Sequence, residues 1–400
     1  RAALCFRTRT EPPWRMVHGV VASAVELGDV DDGDGAGRYR VTLRPPSWQS
    51  HLLEGAHIHL EKTMRDIVAA TLLRVGLIES SGAPPSPPAG LPGSYTPPDL
   101  TYGWRISQSE RLRDPEARPY CVQYFEPDLA FVSRLLEEEG VSYHYEHGES
   151  ECRLVLSDFD HGRMPLDPPL PLGPALLGRE IPRWNDGARM RPRAAHLDDY
   201  DWRRPELGLG AVSPAGPAAG LTRFWPGRYQ GSRETGALLA AVREERFDSE
   251  RRWAHGESRC RILGAGSVFR LEHPKERLGG SYLVTTVRHR GRERGWFADR
   301  PGLEPYEAEI ECLRCDGQGG DSAFRPAQVT PRPRIYGLQT AVVTAEPESL
   351  DAEIDVGGPA ELGCVRVRFL WDIEADARLA YGREPTSCWI RVSQLFAGAS

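Results

Sequence analysis

The sequence predicts a mainly β protein with a few helices, an α+β chain of many short strands. Three observations carry that expectation. The 400 residues include 41 glycines and 34 prolines, which favour turns and short strands over long helices. Runs such as Tyr120 to Phe125 alternate residue types with the period of two that suits a pleated strand. Helical spacing of apolar residues is confined to a few short stretches.

Taken in order, residues 1–80 read as strands with a turn at Asp31–Gly37 and one helix near Thr63–Gly76. In that helix Ile67, Val68, Leu72 and Val75 form an apolar stripe, and Gly76 ends it. Ser80 to Pro98 is dense in Pro, Gly and Ser and reads as a surface loop or linker. The stretch from Arg118 to Asp158 then reads as strand, helix, strand, turn, strand. Pro127 and Asp128 open its helix, since proline is tolerated and aspartate favoured at a helix start. Leu129, Val132, Leu135 and Leu136 share one face of that helix, and Gly140 supplies a left-handed stop. Val141–Tyr145 and Cys152–Leu156 are strands around the turn His147–Ser150.

From Pro165 to Pro174 the prolines are expected to block regular structure. Residues 180–202 and 258–312 read as further strands, separated by a Gly/Pro/Ala loop at Leu207–Gly220 and a helix at Gly236–Phe247. His255-Gly256-Glu257-Ser258 is expected to punctuate the return to strand, and Gly317–Asp321 to be a turn before the last part. Four hundred residues exceed what one core usually serves, and the expected parts are 1–110, 111–325 and 326–400.

Composition excludes several classes. Hydrophobic residues at 40% and aromatics at 8% suffice for packed cores, which argues against global disorder. A net charge of −7 argues against a nucleic-acid partner, so basic runs such as Arg288–Arg294 read as solvated strand ends. No apolar run approaches the roughly 20 residues that span a bilayer, and no secretory signal is visible. Eight cysteines in this length do not make a dense disulfide framework. Cys121, Cys152, Cys364 and Cys388 fall inside expected strands as small hydrophobes, so a reduced, cytoplasmic origin is expected.

Four groups of residues are candidate sites. His144, Glu146 and His147 resemble a metal cluster, but a strand puts His147 on the face opposite the other two, and a tetrahedral site needs convergent ligands. They are read as a polar strand. Cys312 and Cys315 form a CxxC with no second pair at ribbon spacing, and are read as packing residues. His57 and His59 alternate with apolar residues and are read as strand positions facing solvent or an interface. Glu137, Glu138 and Glu139 crowd the C-terminal turn of a helix, where the macrodipole disfavours anions by roughly 0.3–1 kcal/mol each. A solvated turn is the favoured reading; the other is that the turn faces arginines, within the fold or across a subunit contact. No nucleophile elbow, HExxH, phosphate loop or dinucleotide fingerprint occurs, so no catalytic, cofactor or metal residue is expected.

The wording of two blocks resembles the VgrG family, the tip proteins of type VI secretion systems, related to contractile phage tail hubs and spikes. The first is Tyr120–Tyr124, Phe131, Arg134–Gly140 and Leu154–Asp158. The second is Pro331–Val343 with Val365–Phe369, Trp371-Asp372 and Ser387–Gln394. His18–Val21 and Tyr39–Pro45 are similar to the family's first barrel. The resemblance implies two related β-barrel hub domains followed by the start of a small Greek-key, OB-like barrel. It also implies a non-enzymatic spike hub, a homotrimer at full length that sits on a hexameric tube protein. An effector or adaptor and a spike-sharpening protein would be further partners. The location implied is the cytoplasm during assembly, then export by injection. Because the chain runs from Arg1 to Ser400 without a repeat needle, a fragment carrying the hub portion is expected. The alternatives are a contractile phage tail hub, or the hub of a spike that carries a cell-wall hydrolase domain.

Overall fold

The computed structural model describes residues 1–8, 12, 14–27, 38–90, 95–107, 110–114, 117–158, 165–173, 178–216, 220–229, 232–291, 306–315, 324–345, 363–372 and 387–393. The turns expected at Asp31–Gly37 and Gly317–Asp321 lie outside these residues. The described chain is mostly strand, with four helices: α1 (Met64–Leu73), α2 (Glu110–Arg113), α3 (Asp128–Glu138) and α4 (Arg233–Arg251).

Ala2–Arg7, Trp14–Leu27 and Arg38–Arg44 form an antiparallel sheet, and Glu54–Leu60 pairs antiparallel with Tyr120–Pro127. A four-stranded sheet runs in the order Ile78–Glu79, Asp99–Arg105, Glu151–Ser157, Ser142–His147. The largest sheet has six strands, in the order Pro165–Pro171, Val268–Glu272, Gly280–Gly291, Tyr306–Arg314, Arg252–Ser258 and Arg183–Ala188. Ala194–Leu197 lies between Ala211–Val212 and Leu221–Phe224 against α4. Ala341–Thr344, Cys364–Phe369 and Cys388–Arg391 make the final antiparallel sheet.

Helix α3 sits at the centre of the first core. Phe131 and Leu135 are fully buried, as are Ile67 and Val68 of α1, and Leu154 and Leu156 back them from the four-stranded sheet. That single apolar cluster runs from Met64 to Leu156 and so crosses residue 110. Of the expected face, Val132, Leu135 and Leu136 are buried, whereas Leu129 is half-buried and Phe131 takes the central place. The α1 start follows its sequence: the Thr63 hydroxyl accepts from the Asp66 N–H at 3.1 Å while Asp66 accepts from the Thr63 N–H, a capping box. Gly76 and Gly140 take φ of +78° and +72°, the left-handed stops expected after α1 and α3.

Polar residues tie α3 to its neighbours. Arg134 is bidentate to Glu126, with contacts of 2.6 to 3.0 Å, and gives a further bond to the Val122 carbonyl. Arg74, just past α1, grips Asp128 at 2.8 and 2.9 Å, and Gln123 completes the network with a 2.7 Å bond to Asp128. Glu126 and Asp128 therefore lie buried with their lone pairs used, as buried charges require.

Three expectations are corrected. Pro165–Pro171 is a strand, paired parallel with Val268–Glu272. It lies at the edge of the six-stranded sheet, and a shift of register between Leu166 and Leu170 accommodates its ring-locked residues. His255-Gly256-Glu257-Ser258 lies within a strand. Gly256 is there because a Cβ would fall 2.7 Å from the Trp184 ring across the ladder. Helix α4 extends beyond both expected ends, capped by the Ser232 hydroxyl on the Thr235 N–H at 3.1 Å.

Leu135→Ala should destabilise the fold by about 2–5 kcal/mol in chemical unfolding, the range for truncating a fully buried leucine. A loss below about 0.5 kcal/mol would show that the site collapses without cost.

Candidate functional site

The turn that ends α3 carries three consecutive half-buried glutamates. Contrary to the favoured sequence reading, Glu138 and Glu139 are clamped by arginines of the same chain, and Glu137 by backbone and hydroxyl donors. Glu139 receives Arg111 and Arg118, each at 2.7 Å, and its side chain is 6% exposed. Glu138 is held by Arg118 at 2.8 Å, by Arg228 at 3.0 Å and by Arg332. Glu137 accepts the backbone N–H groups of Val329 and Thr330, each at 3.0 Å, and the Thr330 hydroxyl at 2.6 Å. The Gln328 side-chain amide donates to the Glu137 carbonyl at 3.3 Å.

Each glutamate thus faces a different stretch of chain. Glu139 points back to the α2 region, and Glu137 forward to the segment at 328–330. Glu138 joins Arg118, the loop before α4 and Arg332. Arg325 roofs the turn: its Nε is 2.6 Å from Glu245 on α4, and it donates to the Gly140 carbonyl at 3.3 Å. Gly140 is needed twice over, since a Cβ there would meet the Arg325 side chain at 3.0 Å on top of the cost of its positive φ. Segment 324–332 is therefore strapped across the end of α3 and the body of α4.

The electrostatics follow from the geometry. Burial pushes the Glu138 carboxyl up, but Arg118, Arg332 and Arg228 outweigh it and hold the group at about 2. Glu139 is likewise held low, with burial outweighed by Arg118 and Arg111. Burial works against the Arg118 cation, and Glu139 and Glu138 reverse this to a net upward shift. Arg243, half-buried beside the same turn and 5.8 Å from the Phe224 ring, falls to about 10 through burial. These carboxylates already accept charged or backbone donors, so they suit holding rather than proton transfer.

The residues singled out by sequence lie elsewhere. His144 and Glu146 share a face of Ser142–His147 and stand 3.6 Å apart, with Arg105 bidentate on Glu146 at 2.6 and 2.7 Å. Burial would raise the Glu146 carboxyl; His144 and Arg105 bring it down. His147 projects to the other face, near His18 and 3.4 Å from the Cys152 sulfur, and burial with Arg15 and His18 nearby lowers it to about 3. No group of three His, Cys, Asp or Glu residues able to hold a metal occurs among the described residues. Cys312 lies in the core of the six-stranded sheet, Cys315 is buried just past its strand, and both are free cysteines. His59 does not face solvent. It stacks on Phe131 of α3 with centroids 5.7 Å apart, while His57 is half-buried beside it on the same strand face.

Sequence reading missed the arginine partners. Arg111, Arg118, Arg228 and Arg332 are scattered over more than half the chain, and Arg325 and Thr330 sit in a proline-broken run with no periodicity. The one available signal was the run of three glutamates at a helix end, where isolated anions are disfavoured.

The chain belongs to the phage tail baseplate hub (GPD) family, whose model matches residues 2–295. It is similar to the type VI secretion system spike proteins VgrG1b and VgrG1c of Pseudomonas aeruginosa. VgrG1b is 30% identical over 399 residues, covering 96% of this chain and 47% of that protein. VgrG1c is 31% identical, covering 96% of this chain and 48% of that protein. The actin cross-linking toxin VgrG1 of Vibrio cholerae is 28% identical over 96% of this chain and 32% of its own length. The chain spans about half the length of the Pseudomonas relatives. Among solved structures, an Escherichia coli type VI secretion component, described as similar to the T4 bacteriophage tail proteins gp27 and gp5, shares the fold. Its TM-score is 0.56 at 20% identity, over 89% of this chain and 73% of that one.

Replacing Arg118 by Met should cost about 1.5–3 kcal/mol of stability, because it removes a charged donor that Glu138 and Glu139 share, leaving Arg228 and Arg332 on the first and Arg111 on the second. Urea unfolding checks this, and a loss under about 1 kcal/mol would mean that the pair is solvent-screened. The clamp also sets an acid dependence. Glu138 has a lower pKa folded than unfolded, so its stabilisation is complete above the ordinary value of 4.5 and drains as the pH falls towards about 2. Across that window the urea midpoint of Glu138→Gln should fall less steeply than that of the parent; parallel curves would show that Glu138 is not the group titrating.

Proposed function

We propose that this chain is the hub portion of a type VI secretion spike, a structural part that sits on the tube of a contractile injection apparatus. The match of the hub family over residues 2–295 carries the reading. In this reading residues 1–110 and 111–325 make two related barrels, and 326–400 begins the small OB-like barrel that leads towards the needle. One apolar cluster from Met64 to Leu156 spans the proposed boundary at 110, which supports close packing of the two parts there.

The arginine clamp fits such a part. A hub must pass axial load to the segment beyond it, and here that segment is bonded to the end of α3 through Glu137 and Glu138 and to the body of α4 through Glu245. The proposed partners are two further copies of the chain, a hexameric tube protein, an effector or adaptor, and a spike-sharpening protein. Assembly takes place in the cytoplasm and export by injection. No described helix is long and apolar enough to cross a membrane. The hub does mechanical work and is not an enzyme; a contractile phage tail hub is the second reading, favoured by the family match itself.

Deleting the coding region from its host should stop release of tube protein into the medium, and undiminished release would overturn the secretion reading. Sheath and tube genes beside it favour secretion; capsid and terminase genes favour a phage. The purified chain should leave peptidoglycan, ester and peptide substrates intact. Turnover abolished by a single carboxylate or histidine substitution would overturn the non-enzymatic assignment. Light scattering should find the full-length product trimeric and residues 1–400 weakly associated, since the trimer contact is assigned to the needle. A stable trimer of residues 1–400 would move that contact to the hub.

A further inference from the structure

The two edges of the six-stranded sheet differ. Pro165–Pro171 carries four prolines and so lacks the donors that another strand would need. Arg183–Ala188, at the opposite edge, has none, and among the described residues it pairs only with Arg252–Ser258. Ala188, Arg252, Gly280 and Arg314 are strand termini at one end of this sheet. A cavity of about 490 Å³ opens there, beside the proline-free edge.

Its lining is aromatic and cationic. Leu278 and Tyr282 are buried, with the Tyr282 hydroxyl donating to the Leu278 carbonyl at 2.8 Å. The Trp253 indole forms a further part of the lining, and Gly187 leaves it room, since a Cβ there would come within 2.6 Å of the ring. Arg314 is committed to the structure: it donates to the carbonyls of Arg277 and Gly279 and lies 5.9 Å from the Tyr282 ring. Arg252 and Arg277 are exposed, and neither makes an ion pair or donates a side-chain hydrogen bond among the described residues. Arg183 is matched with Glu257, Arg288 with Glu309 and Arg290 with Glu307, whereas Arg270 on Val268–Glu272 shows no ion pair among the described residues. The cavity holds one carboxylate, Asp186, against three guanidiniums.

We propose that this cavity binds an extended acidic segment of a partner protein, with its carboxylates on Arg252 and Arg277 and its backbone along Arg183–Ala188. The guanidiniums select carboxylate, and the proline-free edge supplies the backbone groups that a strand-like peptide needs. A nucleic acid fits less well, because the chain carries a net charge of −7 and a phosphate backbone needs many basic contacts. The inference does not depend on the hub reading and is tested on the purified chain.

The test is calorimetric titration at low salt with a hexaglutamate peptide, alongside hexalysine and an oligothymidylate strand of equal length. Hexaglutamate should bind, more weakly as salt is added, and hexalysine should not. The double variant Arg252→Ala with Arg277→Ala changes two exposed side chains, so its unfolding midpoint should stay at the parent value while affinity drops about tenfold or more. Asp186→Asn should tighten binding by removing the opposing charge. Failure of hexaglutamate to bind, undiminished binding by the double variant, or tighter binding of the oligothymidylate would each overturn the proposal.

Discussion

Burying α3 imposes a constraint that much of the first core answers. Phe131, Val132, Leu135 and Leu136 leave water together, and the helix carries acidic residues at both ends into the same low-polarity surroundings. Carboxylates can be buried only where cations and donors meet them. Asp128 at the start is met by Arg74 and Gln123, Glu126 before it by Arg134, and Glu138 and Glu139 at the end by Arg118 and its neighbours. The apolar face and the two charged ends therefore depend on each other. The first selects the helix position, and the second fixes which neighbouring segments approach it.

The clamp at the end of α3 has consequences further along the chain. Segment 324–332 has no ladder of its own, and its placement comes from Arg325, Val329, Thr330 and Arg332 reaching α3 and α4. The final sheet beyond it lies on the same body through aromatic contacts. Trp371 meets Tyr124 edge-on at 5.2 Å, and the Arg391 guanidinium stands 5.0 Å from the Trp202 ring. Tyr120, on the strand leading to α3, lies beside Cys388 of the final sheet. A pull on the downstream strands would thus load the strand before α3 and the turn after it, both anchored in the first core.

A second seam joins the opening sheet to the six-stranded one. Arg15 donates to the carbonyls of Arg261 and Leu263, and Arg261 returns a bond to the Arg7 carbonyl. Around Arg15, burial with the arginine and His18 nearby lowers His147 to about 3. A neutral imidazole beside that guanidinium avoids a like-charge cluster, which is why histidine is tolerated there.

Local order was legible wherever it rests on neighbours in sequence. The capping box at Thr63, the left-handed glycines at 76 and 140, and the alternation at 120–127 each specify their element through contacts a few residues long. The same is true of His144 and His147, whose opposite faces follow from strand period alone. Tertiary structure decided the rest. Pro165–Pro171 became a strand because it lies at an edge, a position that no local pattern encodes. His59 found Phe131 because α3 folds back over its strand. Three glutamates in a row say that charge must be neutralised, but not by what. Arg111, Arg118, Arg228 and Arg332 come from separate stretches, brought together only when two cores and a connecting segment close over one helix end.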